Sequence, residues 1–267
     1  MIIDFHVHCF PDELAERATA VLSERSGIHP FVNGTTGGIK ASMREAGVDR
    51  SVLLSIATRP QQALKITQWA ASIQDDAVTA FGSIHPDSLD WKEELADIHE
   101  AGLPGIKFHP DYQEFFVDEK RLFPIYERAL GLGLIIIFHA GMDIGLPPPY
   151  HCTPDRLQRV VRAFPGGSFV AAHMGGFKCW DEVEKFLVGE NVYLDTSFSL
   201  QWMECSQFLR IVHKHGYDRL LFGTDSPWSG QKEELERIRS IGLLPEEESA
   251  VLGGNAMKLL GLTCQSI

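Results

Sequence analysis

The chain has no run of lysines or arginines, and its formal net charge is −12. A protein that neutralises nucleic-acid phosphates normally carries a basic stripe, so no nucleic-acid partner is expected. Cysteine is scarce and odd in number: Cys9, Cys152, Cys179, Cys205 and Cys264, none spaced as CxxC. Structural disulfides are therefore not expected, whereas a reducing, cytoplasmic setting is. No apolar run has the roughly 20 residues that span a bilayer; the longest lies around Leu132 to Phe138, and no membrane association is expected. The first residues, Met1-Ile2-Ile3-Asp4, open directly as a strand, without the basic and apolar segments of a secretory signal. No glycine-rich phosphate fingerprint follows that strand, and no internal repeat, low-complexity tract or linker stands out.

What is present is a regular alternation. The chain has 267 residues and 44% hydrophobic content, enough for one large domain, 1–267, with a sizeable core. Strand-like runs begin near residues 2, 50, 78, 105, 134, 168, 191 and 219. Most starts are about 30 residues apart, the length of a strand, a helix and two turns. Segments of helical period lie between them, including Asp12–Arg25, Gln61–Ser72, Trp91–Ala101, Asp118–Leu130, Pro154–Ala163, Asp181–Val188 and Met203–Lys214. Buried apolar strands alternating with helices predict an α/β fold with parallel strands, and eight units predict a (β/α)8 TIM-type barrel. The first gap is the long one. Its stretch Ser26–Gly38 reads either as an extended loop at the mouth, able to act as a lid, or as a plain surface loop. The tail from Pro245 to Leu262 reads as helical and is expected on the outside of the barrel.

The strand ends carry the chemistry. The first run is Asp4-Phe5-His6-Val7-His8, the fourth Gly105-Ile106-Lys107-Phe108-His109, and the fifth closes on His139. The sixth closes on His173 and the eighth on Asp225, while His85 follows the third. Six of the eleven histidines lie at these ends. Buried imidazoles and carboxylates need partners, and in a barrel the C-terminal strand ends converge on one face, so a divalent metal there is the simplest partner. Strand alternation places Asp4, His6 and His8 inward, with Phe5 and Val7 against helices. Asp4 then either orients a ligand imidazole or caps neighbouring amides. Cys9 is turned away from His8 and reads as a loop thiol. Arg59, after the second strand, either forks a substrate carboxylate or is an exposed loop arginine. Asp195 and Ser197 follow the seventh strand and are lesser candidates for the pocket lining.

These segments, with His139-Ala140-Gly141, His173-Met174-Gly175-Gly176, Gly223-Thr224-Asp225-Ser226-Pro227 and Gly254-Asn255-Ala256, resemble the amidohydrolase superfamily. The similarity is greatest to the amidohydrolase-2 branch, which includes aminocarboxymuconate-semialdehyde decarboxylase and related hydrolases. The resemblance implies one zinc-like ion held by His6, His8, His139 and Asp225. Asp225 then also shuttles a proton, and His173 polarises the carbonyl or orients the water. Lys107 and His109 are implied as substrate-binding groups. In binuclear members a carboxylated lysine bridges two metals, so carboxylated Lys107 with a second ion is the other arrangement. A homodimer is compatible with the branch.

Four functions follow from this reading. The first is a metal-dependent hydrolase of a small carboxylic ester, lactone or amide. The second is a non-oxidative decarboxylase of the same branch. A TatD-type deoxyribonuclease is disfavoured by the acidic charge and by Lys107, where that relative has glutamate. A non-enzymatic metal-binding barrel is disfavoured because His173 exceeds what a scaffold needs.

Overall fold

The computed structural model describes residues 1–262; Cys264 lies outside them. Eight short parallel strands form the centre: β1 (Ile3–Val7), β2 (Arg50–Leu54), β3 (Val78–Phe81), β4 (Gly105–Phe108), β5 (Ile135–Phe138), β6 (Phe169–Ala171), β7 (Tyr193–Asp195) and β8 (Leu220–Leu221). β1 to β3 pair in order, as do β4 to β8, all parallel. Backbone hydrogen bonds bridge both gaps. Gly82 N–H donates to Gly105 O and Lys107 N–H to Gly82 O, joining β3 to β4. Phe5 N–H donates to Phe222 O and Asp225 N–H to His6 O, joining β1 to the segment after β8. The eight strands thus enclose one interior, as the alternation of the sequence predicts.

The interior is small and apolar. Ile3, Phe5, Val52, Leu54, Phe81 and Ile137 belong to one buried cluster inside the strands. A larger cluster fills the layer between strands and helices, with Val7, Leu53, Ile106 and Phe138 among its members. This assigns facing along β1 and corrects the expectation from simple alternation. Phe5 points inward with Ile3, and Asp4 points outward. The pairing of β1 with β2 shifts register between Asp4 and Val7, an irregularity that breaks the two-residue period. Past the shift, Val7 faces the helices while His6 and His8 face the mouth.

The helices follow in order: α1 (Asp12–Ser26), α2 (Thr36–Ala46), α3 (Ala63–Ile73), α4 (Trp91–Glu100), α5 (Phe123–Gly131), α6 (Pro154–Ala163), α7 (Trp180–Phe186), α8 (Cys205–His215) and α9 (Gln231–Ser240). Two helices separate β1 from β2. The stretch expected to be a loop through Gly38 ends at Thr35, whose hydroxyl caps α2 by accepting from Gly38 N–H. The tail forms α10 (Pro245–Ser249), a π-helical turn over Ala250–Gly254 and α11 (Asn255–Leu259). It does not pack on the outside: Ala256 joins the interior cluster and Val251 O accepts from Phe222 N–H. The tail therefore plugs the barrel floor, opposite the histidines.

Outward-facing Asp4 is the rivet of this arrangement. Its carboxylate accepts from Thr224 N–H (2.9 Å), Thr224 Oγ1 (2.6 Å), Gln231 Nε2 (2.7 Å) and His6 N–H (3.2 Å). It caps amides, the second of its two expected roles. Burial still raises its carboxyl to about 6 despite these four donors. Asp4→Ala would leave three buried donors without an acceptor and Gln231 Nε2 with Ser51 Oγ alone, a loss on the order of 3 kcal/mol. We expect that drop in chemical denaturation, together with weaker metal uptake because the turn carrying Asp225 loses its anchor. Unchanged stability would show that the cluster carries no load.

Candidate metal centre and active site

Five imidazoles form an unbroken arc across the barrel mouth. Ring centroids are 5.0 Å apart for His8 and His6, 5.2 Å for His6 and His173, 4.7 Å for His173 and His139, and 4.0 Å for His139 and His109. A carboxylate closes each end: Asp225 beside His6 and His8, and Asp143 beside His109. Lys107 is fully buried, with Nζ 3.4 Å from His6 Nε2. Burial, opposed by Asp195 and Asp225, brings its ammonium down to about 8.

At the Asp225 end the donor atoms form a nearly equilateral triangle. His6 Nε2 and His8 Nε2 are 3.2 Å apart, and Asp225 Oδ1 is 3.3 Å from the first and 3.2 Å from the second. Ligands about 2.0–2.1 Å from a tetrahedral ion stand roughly 3.3 Å apart, the edge of that tetrahedron. The protons can be assigned from the partners on the far side of each ring. His6 Nδ1 faces Asp195 Oδ2 at 2.9 Å and His8 Nδ1 faces Leu54 O at 2.8 Å. Both partners only accept, so each Nδ1 carries the proton and each Nε2 presents a lone pair. Three lone-pair atoms then converge on one point, and a cation there removes their repulsion. Burial, with Lys107 nearby, holds the His6 imidazole well below its ordinary value and keeps it a neutral ligand.

The Asp143 end has a similar composition and different chemistry. His109, His139 and Asp143 lie close enough to hold an ion. However, Tyr112 N–H donates to His109 Nδ1 at 3.3 Å, which leaves the proton on Nε2, 3.1 Å from Asp143 Oδ2. His109 therefore donates to Asp143, and the pair is already satisfied without a cation. His139 Nε2 is buried with no partner among the described residues and stands 4.0 Å from the same carboxylate oxygen. His139 Nδ1 faces His173 Nε2 at 3.0 Å. The structure thus groups His139 with His173 and His109, and sets the triangle of His6, His8 and Asp225 apart from it.

Support for the arc comes from β7. Asp195 Oδ1 accepts from His173 N–H (3.0 Å), Ser197 N–H (3.1 Å) and the Ser197 hydroxyl, while Oδ2 holds His6. One buried carboxylate therefore orients one ring of the triangle and the backbone of His173. Backbone strain collects here as well: His173, Met174 and Asp225 have φ of 60°, 55° and 68°. Each costs on the order of 1 kcal/mol for a non-glycine residue. Hydrogen bonds from Met174 N–H to Asp195 O and Trp228 N–H to Asp225 O hold these turns. Gly223 allows close approach, since a Cβ there would lie 2.9 Å from His6 Cβ.

A cavity of about 510 Å3 opens over the arc. Lys107, His109, His139, His173 and Asp225 all line it. Arg59 does not; it is exposed at the start of the 3-10 turn Pro60–Gln62. His85 is buried away from the cavity and accepts from Asp87 N–H. Cys9 lines the cavity as a thiol, since burial pushes it up to about 11. Asp143 went unnoticed in the sequence because it lies in a loop with no motif. Asp195 closes a strand of three residues, too short to give a clear period.

Asp195→Asn is expected to weaken metal binding about 10- to 100-fold, the usual effect of losing a ligand's carboxylate partner. Competition with a metal-indicator dye measures it. An unchanged affinity would separate Asp195 from the triangle.

No curated protein matches the chain. Among solved structures, a TIM-barrel protein from Bordetella bronchiseptica is 22% identical, with a TM-score of 0.77 and 98% of each chain covered. A dihydroxybenzoic acid decarboxylase from Polaromonas sp., with bound manganese and the inhibitor 2-nitroresorcinol, is 16% identical (TM-score 0.73; 98% of this chain and 97% of that one). A putative 2-pyrone-4,6-dicarboxylic acid hydrolase from Pseudomonas putida is 16% identical (TM-score 0.70; 99% and 98%). At these identities the likeness establishes the fold. The Amidohydro_2 family model, described as amidohydrolase, matches residues 3–262. With that match over nearly its whole length, the chain belongs to the amidohydrolase-2 family, a family of metal-dependent enzymes.

Proposed function

We propose that the protein is a hydrolase that uses one divalent ion, held by His6, His8 and Asp225, on a small carboxylic ester, lactone or amide. The triangle of three lone-pair atoms carries this reading. When bound, the ion supplies Lewis acidity, acidifying water and polarising a carbonyl. Zinc fits the nitrogen-rich set and its edge lengths. Manganese is the alternative, supported by the ion held in the dihydroxybenzoic acid decarboxylase.

The chain's own groups supply the rest. Asp225, at the rim of the triangle and lining the cavity, takes the proton from the attacking water and returns it to the leaving group. His173 is fixed through Nδ1 to Ser197 O at 3.0 Å; its Nε2, which faces His139 Nδ1 at 3.0 Å, lines the cavity and orients the water when it exchanges His139 for it. Lys107, a buried cation at neutral pH, faces the negative charge that develops on the attacked carbonyl or holds a substrate carboxylate. Asp143, oriented by His109, accepts from a polar group of the substrate at the far end of the arc.

A decarboxylase of the same branch is the second reading, favoured by the likeness to the dihydroxybenzoic acid decarboxylase. One assay separates the two. A panel of esters, lactones, amides and hydroxylated benzoic acids is incubated with metal-loaded protein while acid release and carbon dioxide are both followed. Hydrolysis predicts acid without carbon dioxide; carbon dioxide release moves the assignment to the second reading. His173→Ala is expected to keep its metal and lose roughly 10²- to 10⁴-fold in kcat. Full turnover in that variant would contradict the mechanism.

A further inference from the structure

The cavity is larger and more apolar than the chemistry at the arc requires. Its 510 Å3 is room for on the order of fifteen water-sized groups at about 30 Å3 each. Two helix faces turn toward it. On α1, Leu14, Leu22 and Ser26 recur at multiples of four residues and share one face, with Ile28 just beyond. On α3, Ile66 and Trp69 follow Gln62 at spacings of four and three. Leu14 and, across the mouth, Ile144 remain 51% and 41% exposed, an apolar rim continuous with the cavity. Charge is confined elsewhere. The charged residues lining the cavity are Lys107, Asp225 and Asp143 at the arc and solvent-exposed Lys65 at the rim. Among the described residues one arginine, exposed Arg25 at the end of α1, reaches the mouth beside Tyr112, and none stands along the walls between α1 and α3.

We infer that the space between α1 and α3 is a subsite for an extended apolar substituent, making the substrate a monocarboxylic derivative with a long alkyl or aryl arm. This rests on the hydrolase reading only for the reacting end. The arm itself follows from the two helix faces and their continuity with the triangle of His6, His8 and Asp225. Each buried methylene is worth about 0.8 kcal/mol, roughly three- to fourfold in affinity.

The test is calorimetric binding of straight-chain hydroxamates of two to ten carbons to metal-loaded protein. Affinity is expected to climb roughly three- to fourfold per methylene until the cavity fills. Ile66→Asp should flatten that slope, and Leu22→Asp, on the opposite wall, serves if the first variant does not fold. Leu64→Asp, on the exposed side of α3, should keep the slope. A flat wild-type series overturns the proposal, as does a slope that survives both wall substitutions. If the matching esters are not hydrolysed while the binding slope holds, the hydrolase reading fails and the subsite stands.

Discussion

Three lone-pair atoms held within 3.3 Å of one another are the constraint around which this molecule is organised. Left alone they repel, and the chain spends many interactions keeping them there. His6 is fixed from behind by Asp195, and His8 by the carbonyl of Leu54. Asp225 sits in a left-handed turn tied to β1 through His6 O. A cation turns that repulsion into attraction, and the surrounding hydrogen bonds prevent the rings from rotating away without it. This is preorganisation in a concrete sense: the geometry a metal needs is built by the scaffold.

Two buried aspartates divide the structural work. Asp4 lies outside the strands and locks β1, the turn after β8 and α9 to one another. Asp195 lies under the mouth and ties His6 to the backbone of His173. The register shift between Asp4 and Val7 links the two roles. Before it, β1 gives its apolar side chains to the barrel interior; after it, the same strand presents two imidazoles to the mouth. The arc's two ends then differ in kind. Tyr112 N–H sets the tautomer of His109 and makes the Asp143 end a hydrogen-bond pair, while the Asp225 end presents three converging acceptors with Lys107 Nζ 3.4 Å from His6 Nε2.

Much of this was legible in the sequence. Buried parallel strands read as short apolar runs, so their starts were placed within about two residues, and the order of strand-end histidines pointed to one convergent face. What escaped depended on tertiary context. Facing along β1 was misjudged because a register shift leaves no mark on residue type. The start of α2 was hidden by Gly37 and Gly38, which read as loop yet sit in its first turn beside the Thr35 cap. The tail was recognised as helical, but nothing in its pattern separates a helix on the outside of the barrel from one that plugs its floor. Asp143 and the apolar walls of α1 and α3 acquire meaning only when the mouth is assembled. In the sequence, Ile66 and Trp69 look like any amphipathic face.

The central claim is that a divalent ion belongs among His6, His8 and Asp225. Plasma mass spectrometry on protein isolated without chelator or affinity-tag metal tests it most directly. The account predicts one equivalent of a divalent transition metal per chain, lost when Asp225 is replaced by alanine. A wild-type protein that holds none, and takes up none on dialysis against zinc or manganese, would contradict it.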